Sequence, residues 1–490
     1  MTDAKSSSRP EARKPRGFPD VRADALLRRA NMIETVTGVY RRWGFEALET
    51  GAFEYADCLG KFLPDDDRPN AGVFALLDDD EQWLSLRYDL TAPLARFAAE
   101  NWQTLPKPFR RYAAGPVWRN EKPGPGRFRE FYQCDADTVG APGLHADAEM
   151  VAMAAEALRA LGLGDGEFVV RVNTRRLLNG VLEGVQANDE AGRLAVLRAL
   201  DKLDRLGPEG VADLLGKGRM DESGDFTKGA GLDAARVDAV LAFATAGKAT
   251  RGETLEALGS AVGGTEAGKA GLAELDAIAR ALEALGAPEG DVTLDPSVVR
   301  GLEYYTGPVY EAEFLKATVD EKGQPVQIGS IGGGGRYDDL VARFTGQSVP
   351  AAGVSIGISR LSTALALSEG TAALDGPVVV LSLDRDNPGE ALKLAAELRA
   401  AGLRAEPYMG GSGMRPQMKY ADRRGAPAVV MVGEDELAKG VVTIKDLKVG
   451  AAEAAAIESN EAYRAARPGQ FEAPRAELVA RLREIVEADQ

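Results

Sequence analysis

The chain has 490 residues, more than a single compact core organises, and a prior of roughly 150 residues per domain gives two to four domains. Hydrophobic residues at 45% and charged residues at 27% exclude wholesale disorder and fibrous repeats, and no apolar run approaches the ~20 residues of a membrane-spanning helix. The formal net charge of −16 weighs against nonspecific coating of nucleic acid, which needs concentrated Lys and Arg, but it leaves room for a local basic surface.

Residues 1–17, MTDAKSSSRPEARKPRG, lack an apolar secretion segment and read as a loose basic tail. From 21 to 50, apolar positions recur at helical spacing until Gly44, after which FEALET begins a strand. Between Trp83 and Gly140 the text turns rich in aromatic and β-favouring residues separated by Pro and Gly, predicting a mostly antiparallel sheet with a helix starting near Leu90. A helix over HADAEMVAMAAEALRALG and a strand then helix in GEFVVRVNTRRLLNGV complete a first part, 18–182. Residues 183–290 are Ala-, Leu-, Glu- and Arg-rich with few aromatics, which predicts an inserted helical domain. The β-rich style resumes over 291–370, a linker follows in SEGTAALDGP, and 376–490 alternate strand and helix as a separate α/β domain.

Two scarcities narrow the chemistry. With only Cys58 and Cys134 there is no disulfide framework and no cysteine zinc site, and a reducing cytoplasm is the expected setting. His145 is the one histidine, in a polar turn leading into a helix, where exposure near a helix start is expected rather than catalysis. Chemistry must then rest on carboxylates, arginines, tyrosines and bound ions. The string Gly263 to Lys269 approaches a P-loop but has Ala270 where a magnesium-binding hydroxyl belongs. The run Gly332–Gly335 lacks a dinucleotide fingerprint and reads as a strand closely approached by other atoms.

Arginine on β-rich text is more informative. PKPFRRYAAGPVWRNEKPGPGRFREF carries Lys107, Arg110, Arg111, Arg119, Lys122, Arg127 and Arg129, a cationic hairpin in an acidic chain. Arg119, Arg300 and Arg360 each follow an apolar strand-like segment, where an unpaired guanidinium is costly. Three such forks converging on one triphosphate would neutralise charge developing in phosphoryl or nucleotidyl transfer.

WRNEKPGPGRFREFYQCDAD resembles motif 2 of class II aminoacyl-tRNA synthetases, and GVSIGISRL resembles their motif 3. RGLEYYTGPVYE and GGGGRYDDL are similar to the two signature segments of the histidyl-tRNA synthetase family, and LRYDLTAPLAR to its ammonium-binding strand and helix. The resemblance covers nearly the whole chain after the tail. It implies an α+β class II core, an antiparallel sheet flanked by helices with a helical insertion, plus a C-terminal α/β anticodon-binding domain. It also implies a symmetric homodimer through a motif 1 segment near Ala30 to Ala56, and an ATP-dependent ligase joining histidine to tRNA(His).

By this resemblance Arg119 holds the α-phosphate of ATP, Glu121 and Arg127 help place the nucleotide, and Arg360 meets the γ-phosphate. Arg300 faces the α-phosphate and the substrate carboxylate, so Arg300 and Arg119 form the catalytic pair. Asp89, Thr91 and Gln133 match the family's ammonium acceptors. Asp137 and Tyr305 match its imidazole partners, with Tyr304 and Tyr337 lining the pocket. Mg2+ accompanies ATP with protein ligands unassigned, and zinc is not expected. The chain departs from the family at Asp89 and Ser359, where Glu is common, in the Pro- and Gly-rich motif 2 loop NEKPGPGRF, and at Pro416 before the basic Lys419, Arg423 and Arg424. The competing expectation is the family's non-catalytic paralogue, the regulatory subunit of ATP phosphoribosyltransferase, which typically lacks the C-terminal domain and the signature segments.

Overall fold

The structure is a computed structural model and describes residues 11–62, 72–124, 126–187, 189–220, 224–299, 301, 305–320, 322–369, 376–383, 388–454 and 466–487. The chain divides into two compact units, Met1–Gly370 and Thr371–Gln490.

In the first unit, α1 (Ala23–Arg42) runs into the short strand β1 (Glu46–Ala47), and Gly44 makes the turn with a positive φ of 83° that suits glycine. A small sheet follows from β2 (Phe53–Tyr55), β3 (Ala75–Leu77) and β4 (Trp83–Leu86), in the order β2-β4-β3. Next come α2 (Thr91–Asn101), the long hairpin β5 (Phe109–Trp118) and β6 (Glu130–Val139), α3 (His145–Ala160), β7 (Phe168–Thr174) and α4 (Arg175–Gly184). Helices α5 (Glu190–Leu200) and α6 (Leu203–Leu215) lead to a hairpin of β8 (Gly218–Met220) and β9 (Phe226–Lys228). Then follow α7 (Ala234–Ala244), α8 (Arg251–Val262), α9 (Glu266–Ala284), β10 (Val292–Leu294), β11 (Pro308–Phe314), β12 (Ser330–Arg336), α10 (Ala342–Thr345), β13 (Ala351–Gly357) and α11 (Ile358–Glu369).

Eight of these strands form one sheet in the order β1-β5-β6-β13-β12-β11-β7-β10. Its interior pairs are antiparallel and only the edge pairs β1·β5 and β7·β10 are parallel. Helix α1 buries Met32, Val36, Val39 and Tyr40, one face at helical spacing, and the Tyr40 hydroxyl donates to the carbonyl of Cys134 in β6 at 3.1 Å. Helix α3 is largely buried and Ala-rich, and its first residue, His145, is exposed as expected.

The stretch 183–290 is helical but also holds the β8–β9 hairpin, which its Ala-rich composition hid; the apolar side chains of Met220 and Phe226 there are 57% and 60% exposed. Its last helix, α9, packs on α3 and α4 and shares their apolar core. Glycines make that approach possible. A Cβ at Gly180 would stand 2.7 Å from the backbone of Gly268, and one at Gly271 would stand 2.6 Å from the Leu177 nitrogen. The P-loop-like string is thereby explained without phosphate: Thr265 caps α9 through the Gly268 N–H at 3.0 Å, and Lys269 pairs with Glu266 at 2.7 Å.

The second unit comprises β14 (Val378–Val380), α12 (Gly389–Ala400), β15 (Ala405–Pro407), α13 (Met414–Arg423), β16 (Ala428–Met431), α14 (Glu434–Lys439), β17 (Val441–Asp446), α15 (Leu447–Ala454), β18 (Gln470–Pro474) and a final helix α16 (Leu478–Glu487). Its sheet runs β15-β14-β16-β17-β18, parallel over the first three strands and antiparallel over the last two. The VVVL run is apolar throughout because both faces are covered. Val378 and Val380 face Leu394 and Leu482, whereas Val379 and Leu381 share a core with Ala421.

Helix propensity alone favours Ala over Gly by about 1 kcal/mol inside a helix. Gly180→Ala is nevertheless expected to lower the thermal unfolding midpoint, because its methyl meets backbone, whereas Gly259→Ala in α8, with open space around it, is expected to raise it. Thermal melts monitored by circular dichroism check both signs.

Candidate active site

The sheet's exposed face carries a cavity of about 340 Å³ walled by β6, β12 and β13 and closed by the start of α2, the β5–β6 loop and α11. Three arginines line it. Arg119, the residue after β5, has its guanidinium 4.3 Å from the ring centre of Tyr88 and 5.1 Å from that of Phe131, and its Nε donates to the Tyr88 carbonyl at 3.3 Å. The Tyr88 hydroxyl in turn donates to Glu121 at 3.1 Å, and burial raises the pKa of that phenol. Arg360, two residues into α11, donates to the Ser330 carbonyl at 2.7 Å, and Arg127 reaches the same cavity from the exposed loop. Two guanidiniums held by backbone carbonyls or stacked on rings are preorganised for phosphate.

The cavity is also rich in acceptors. Asp89 takes the N–H groups of Thr91 and Ala92 at 3.1 and 2.8 Å, so one carboxylate oxygen caps α2 and fixes the side chain at the cavity edge beside Thr91. Gln133 donates through Nε2 to the Ser355 hydroxyl at 2.7 Å, which leaves its buried Oε1 without a donor among the described residues. Two residues along the same strand face stands Asp135, 2% exposed, with Oδ1 likewise unpartnered.

The glycine strand β12 forms part of the same wall. Backbone of β13 would lie 2.8 Å from a Cβ at Gly332 and 2.1 Å from one at Gly334, while Gly335 and Gly301 admit the Tyr305 ring at 2.6 and 2.2 Å from their own would-be Cβ positions. The expected close approach is therefore made by the neighbouring strand and by Tyr305. Tyr310 also lines the cavity, and its hydroxyl donates to the buried Asp147 at 2.6 Å, which Arg336 neutralises.

A family model described as Histidyl-tRNA synthetase matches residues 17–361, and one described as Anticodon binding domain matches residues 377–465. The chain belongs to the histidyl-tRNA synthetase family. It is 61% identical to a Histidine–tRNA ligase of Caulobacter vibrioides, covering 98% of this chain and 97% of that one. To a protein of the same name from Brucella ovis it is 56% identical, covering 99% and 98%. Among solved structures, a histidyl-tRNA synthetase from Nostoc sp. PCC 7120 superposes with a TM-score of 0.73 at 27% identity, covering 98% of this chain and all of that one. A Bacillus halodurans chain titled ATP phosphoribosyltransferase regulatory subunit/histidyl-tRNA synthetase gives 0.64 at 26% identity, covering 84% of this chain and 97% of that one. The class II architecture expected of the fold is thus the observed one.

The cavity brings together Asp89, Thr91, Arg119, Glu121, Arg127, Gln133, Tyr305 and Arg360. Arg300 and Tyr304 lie outside the described residues. Asp137 and Tyr337 do not line the cavity; they are buried behind it, with the Tyr337 hydroxyl on Asp137 Oδ1 and Arg111 3.0 Å from Oδ2. Gly353 lies opposite Asp137, and a Cβ there would collide with the carboxylate. Asp135 and Ser355 line the cavity, and Tyr88 holds Arg119 and Glu121 beside it, roles that the sequence motifs do not indicate. Ser359, in place of a common Glu, accepts the Tyr132 N–H at 2.9 Å and ties α11 to β6. The cationic hairpin also divides: Arg110 pairs with Glu149 at 3.0 Å and Arg111 is fully buried, so neither adds to a basic surface.

Burial, reinforced by the neighbouring Asp137 charge, pushes the Asp135 carboxyl up to about 7, against the opposing pull of Arg111 and Ser355. Asp137 is raised as well, since burial outweighs Arg111 and Tyr337. An acid whose pKa is higher folded than unfolded binds more protons in the folded state between the two values, so its contribution to stability falls as pH rises from about 4 to about 7. Asp135→Asn is therefore expected to raise the ligand-free unfolding midpoint at pH 8 and to change it little or unfavourably at pH 4.5. Scanning calorimetry at the two pH values reads the difference.

Proposed function

We propose that the protein activates histidine with ATP and transfers it to tRNA(His). In the first step a carboxylate oxygen of histidine attacks the α-phosphorus, the bond to the bridging oxygen of pyrophosphate breaks, and histidyl-adenylate forms. In the second, a terminal ribose hydroxyl of the tRNA attacks the carbonyl carbon, its proton is lost, and AMP leaves. The observation that carries this reading is one cavity lined both by guanidiniums and by buried acceptors, in a chain of this family. That combination matches a triphosphate joined to an amino acid. Catalysis then consists mainly of positioning and charge stabilisation.

In this reading Arg119 takes the α-phosphate, Arg360 the γ-phosphate, and Glu121 and Arg127 place the nucleotide. Arg300 completes the catalytic pair from the signature segment. Asp89, Thr91 and Gln133 accept from the ammonium, Tyr305 and Tyr304 frame the ring, and Tyr337 and Asp137 back the ring's pocket from behind the cavity wall. Mg2+ supplies charge neutralisation at the phosphates. Such an ion would be held chiefly by phosphate oxygens and water.

In the second unit, Arg415, Lys419 and Arg423 are exposed at four-residue spacing along α13, whereas Arg424 is paired with Glu406 at 2.8 Å. This stripe is a basic face for the anticodon arm of the tRNA in an otherwise acidic chain. Pro416 sits in the first helical turn, where a missing N–H costs nothing. A homodimer is supported by apolar side chains on the small sheet: Phe53, Tyr55, Leu76 and Leu77 are 46, 53, 45 and 52% exposed. No helix among the described residues is long and apolar enough to cross a membrane, and the cytoplasm, where tRNA is charged, is the proposed setting.

Arg119→Ala and Arg360→Ala are each expected to lower kcat for charging tRNA(His) by roughly 10²–10³-fold with little change in melting temperature. Rates near those of the parent would remove these arginines from the mechanism. Light scattering at micromolar concentration is expected to give twice the chain mass, and a single-chain mass would contradict the dimer.

A further inference from the structure

The basic segment near the N-terminus, which reads as loose in the sequence and lies ahead of the region matched to the family, is fastened to the rim of the active-site cavity. The Gly17 carbonyl accepts the backbone N–H of Arg129, the residue before β6, at 2.9 Å. Gly17 has a φ of 86°, and a Cβ there would stand 2.8 Å from Arg129 Cγ and 3.0 Å from Pro123 Cγ, so this close approach needs glycine. One residue on, the Phe18 ring packs edge-on to Phe74, with centroids 5.6 Å apart. The chain is therefore anchored twice directly after Arg16.

Its seat is the loop between β5 and β6, from which Arg119, Glu121, Arg127 and Phe128 line the cavity. That loop is a closed extension of the hairpin. The Arg119 N–H donates to the Arg129 carbonyl at 2.9 Å, Gly124 and Arg127 exchange N–H bonds at 3.1 and 2.9 Å, and Arg129 Nε donates to the Glu121 carbonyl at 3.0 Å. Arg13, Lys14 and Arg16 are exposed beside it. At about 3.6 Å per residue, all three backbone positions lie within about 15 Å of Gly17. Lys122 and Arg127, also exposed, continue the cationic surface on the loop itself. The exposed acids here are Glu11, Asp20 and Glu121, and only a loose pair at 3.8 Å joins Lys14 to Asp20. Such an exposed pair is worth little and yields readily to a polyanion. Cations thus outnumber acids at this rim, although the whole chain carries a net charge of −16.

The second step of the proposed reaction says which polyanion arrives. A tRNA can bring its terminal ribose hydroxyl to the adenylate only by passing its 3′ strand over the cavity's rim, and every nucleotide of that strand carries a phosphate. We infer that the segment from Arg13 to Gly17 is an RNA-binding extension: Arg13, Lys14 and Arg16 contact phosphates of the tRNA acceptor end, and Gly17 and Phe18 hold those cations at the rim. This inference rests on the proposed charging of tRNA. Contacts of this kind position the RNA without reading its bases.

The test compares the full chain with an Arg13→Gln, Lys14→Gln, Arg16→Gln triple variant, whose changes all lie at exposed positions. Histidine-dependent ATP–pyrophosphate exchange reads activation, and charging of tRNA(His) over a range of KCl concentrations reads KM for the RNA. Filter binding of a labelled RNA hairpin made of the acceptor stem and single-stranded 3′ end of tRNA(His) reads where the cations act. In the triple variant KM for tRNA is expected to rise about 5- to 50-fold at ~0.1 M salt, and the slope of log KM against log salt to fall by about 2, roughly 0.7 per lost phosphate contact. Affinity for the hairpin is expected to fall by a similar factor, and exchange to stay near the parent rate. Unchanged KM for tRNA and an unchanged salt slope would overturn the inference. A loss with tRNA but none with the hairpin would also overturn it, because the cations would then meet another part of the RNA. So would a fall in exchange as large as the fall in charging, which would make the segment a support for the nucleotide site. A parent protein that supports neither exchange nor charging would overturn the functional reading itself, a result distinct from these.

Discussion

The site depends on the register of β6 against β13. That pairing sets Gln133 across from Gly357, Asp135 across from Ser355 and Asp137 across from Gly353. A slip of one residue would carry every one of these side chains to the opposite face of the sheet. Glycines enforce it: the Asp137 carboxylate occupies the space of a Gly353 Cβ, and β13 backbone occupies that of Gly334. The long hairpin of β5 and β6 then places Arg119 at the cavity from the end of the neighbouring strand, and β13 leads directly into the helix that holds Arg360. Arg119 and Arg360 are thus tied to the same few strands that present the acceptors.

Electrostatics within this frame separate into two zones. Toward the loop, guanidiniums stack on Tyr88 and Phe131 or bond to carbonyl oxygens, which holds their planar forks in place. Deeper in the sheet, burial keeps the carboxyls of Asp135 and Asp137 above their ordinary range, against the pull of the nearby Arg111. Such an arrangement sacrifices ligand-free stability for a site that a cationic or donor-rich ligand completes. Asp147, Arg336 and Tyr310 form a second buried charge group that stiffens the cavity wall from α3.

Much of this was legible in the sequence. Alternation and Pro or Gly punctuation located β5, β6 and the helices, and arginines at the ends of apolar strand segments pointed to a polyanion. The β8–β9 hairpin was hidden because its strands are three residues each, exposed, and embedded in Ala-rich helical text. Asp135 was hidden for a different reason. In the string CDADTV both aspartates fall on one face of the strand, and periodicity cannot say which one meets the cavity; that is decided by Tyr337 and Arg111, which arrive from distant segments and fill the Asp137 level. Tyr88 and Ser355 likewise acquire their roles only through partners far along the chain.

The central claim is that this cavity joins ATP to histidine. ATP–pyrophosphate exchange by the purified chain, run with each of the 20 amino acids in the presence of Mg2+, addresses it directly. Exchange with histidine alone is the predicted result. Exchange with another amino acid, or with none, would contradict it.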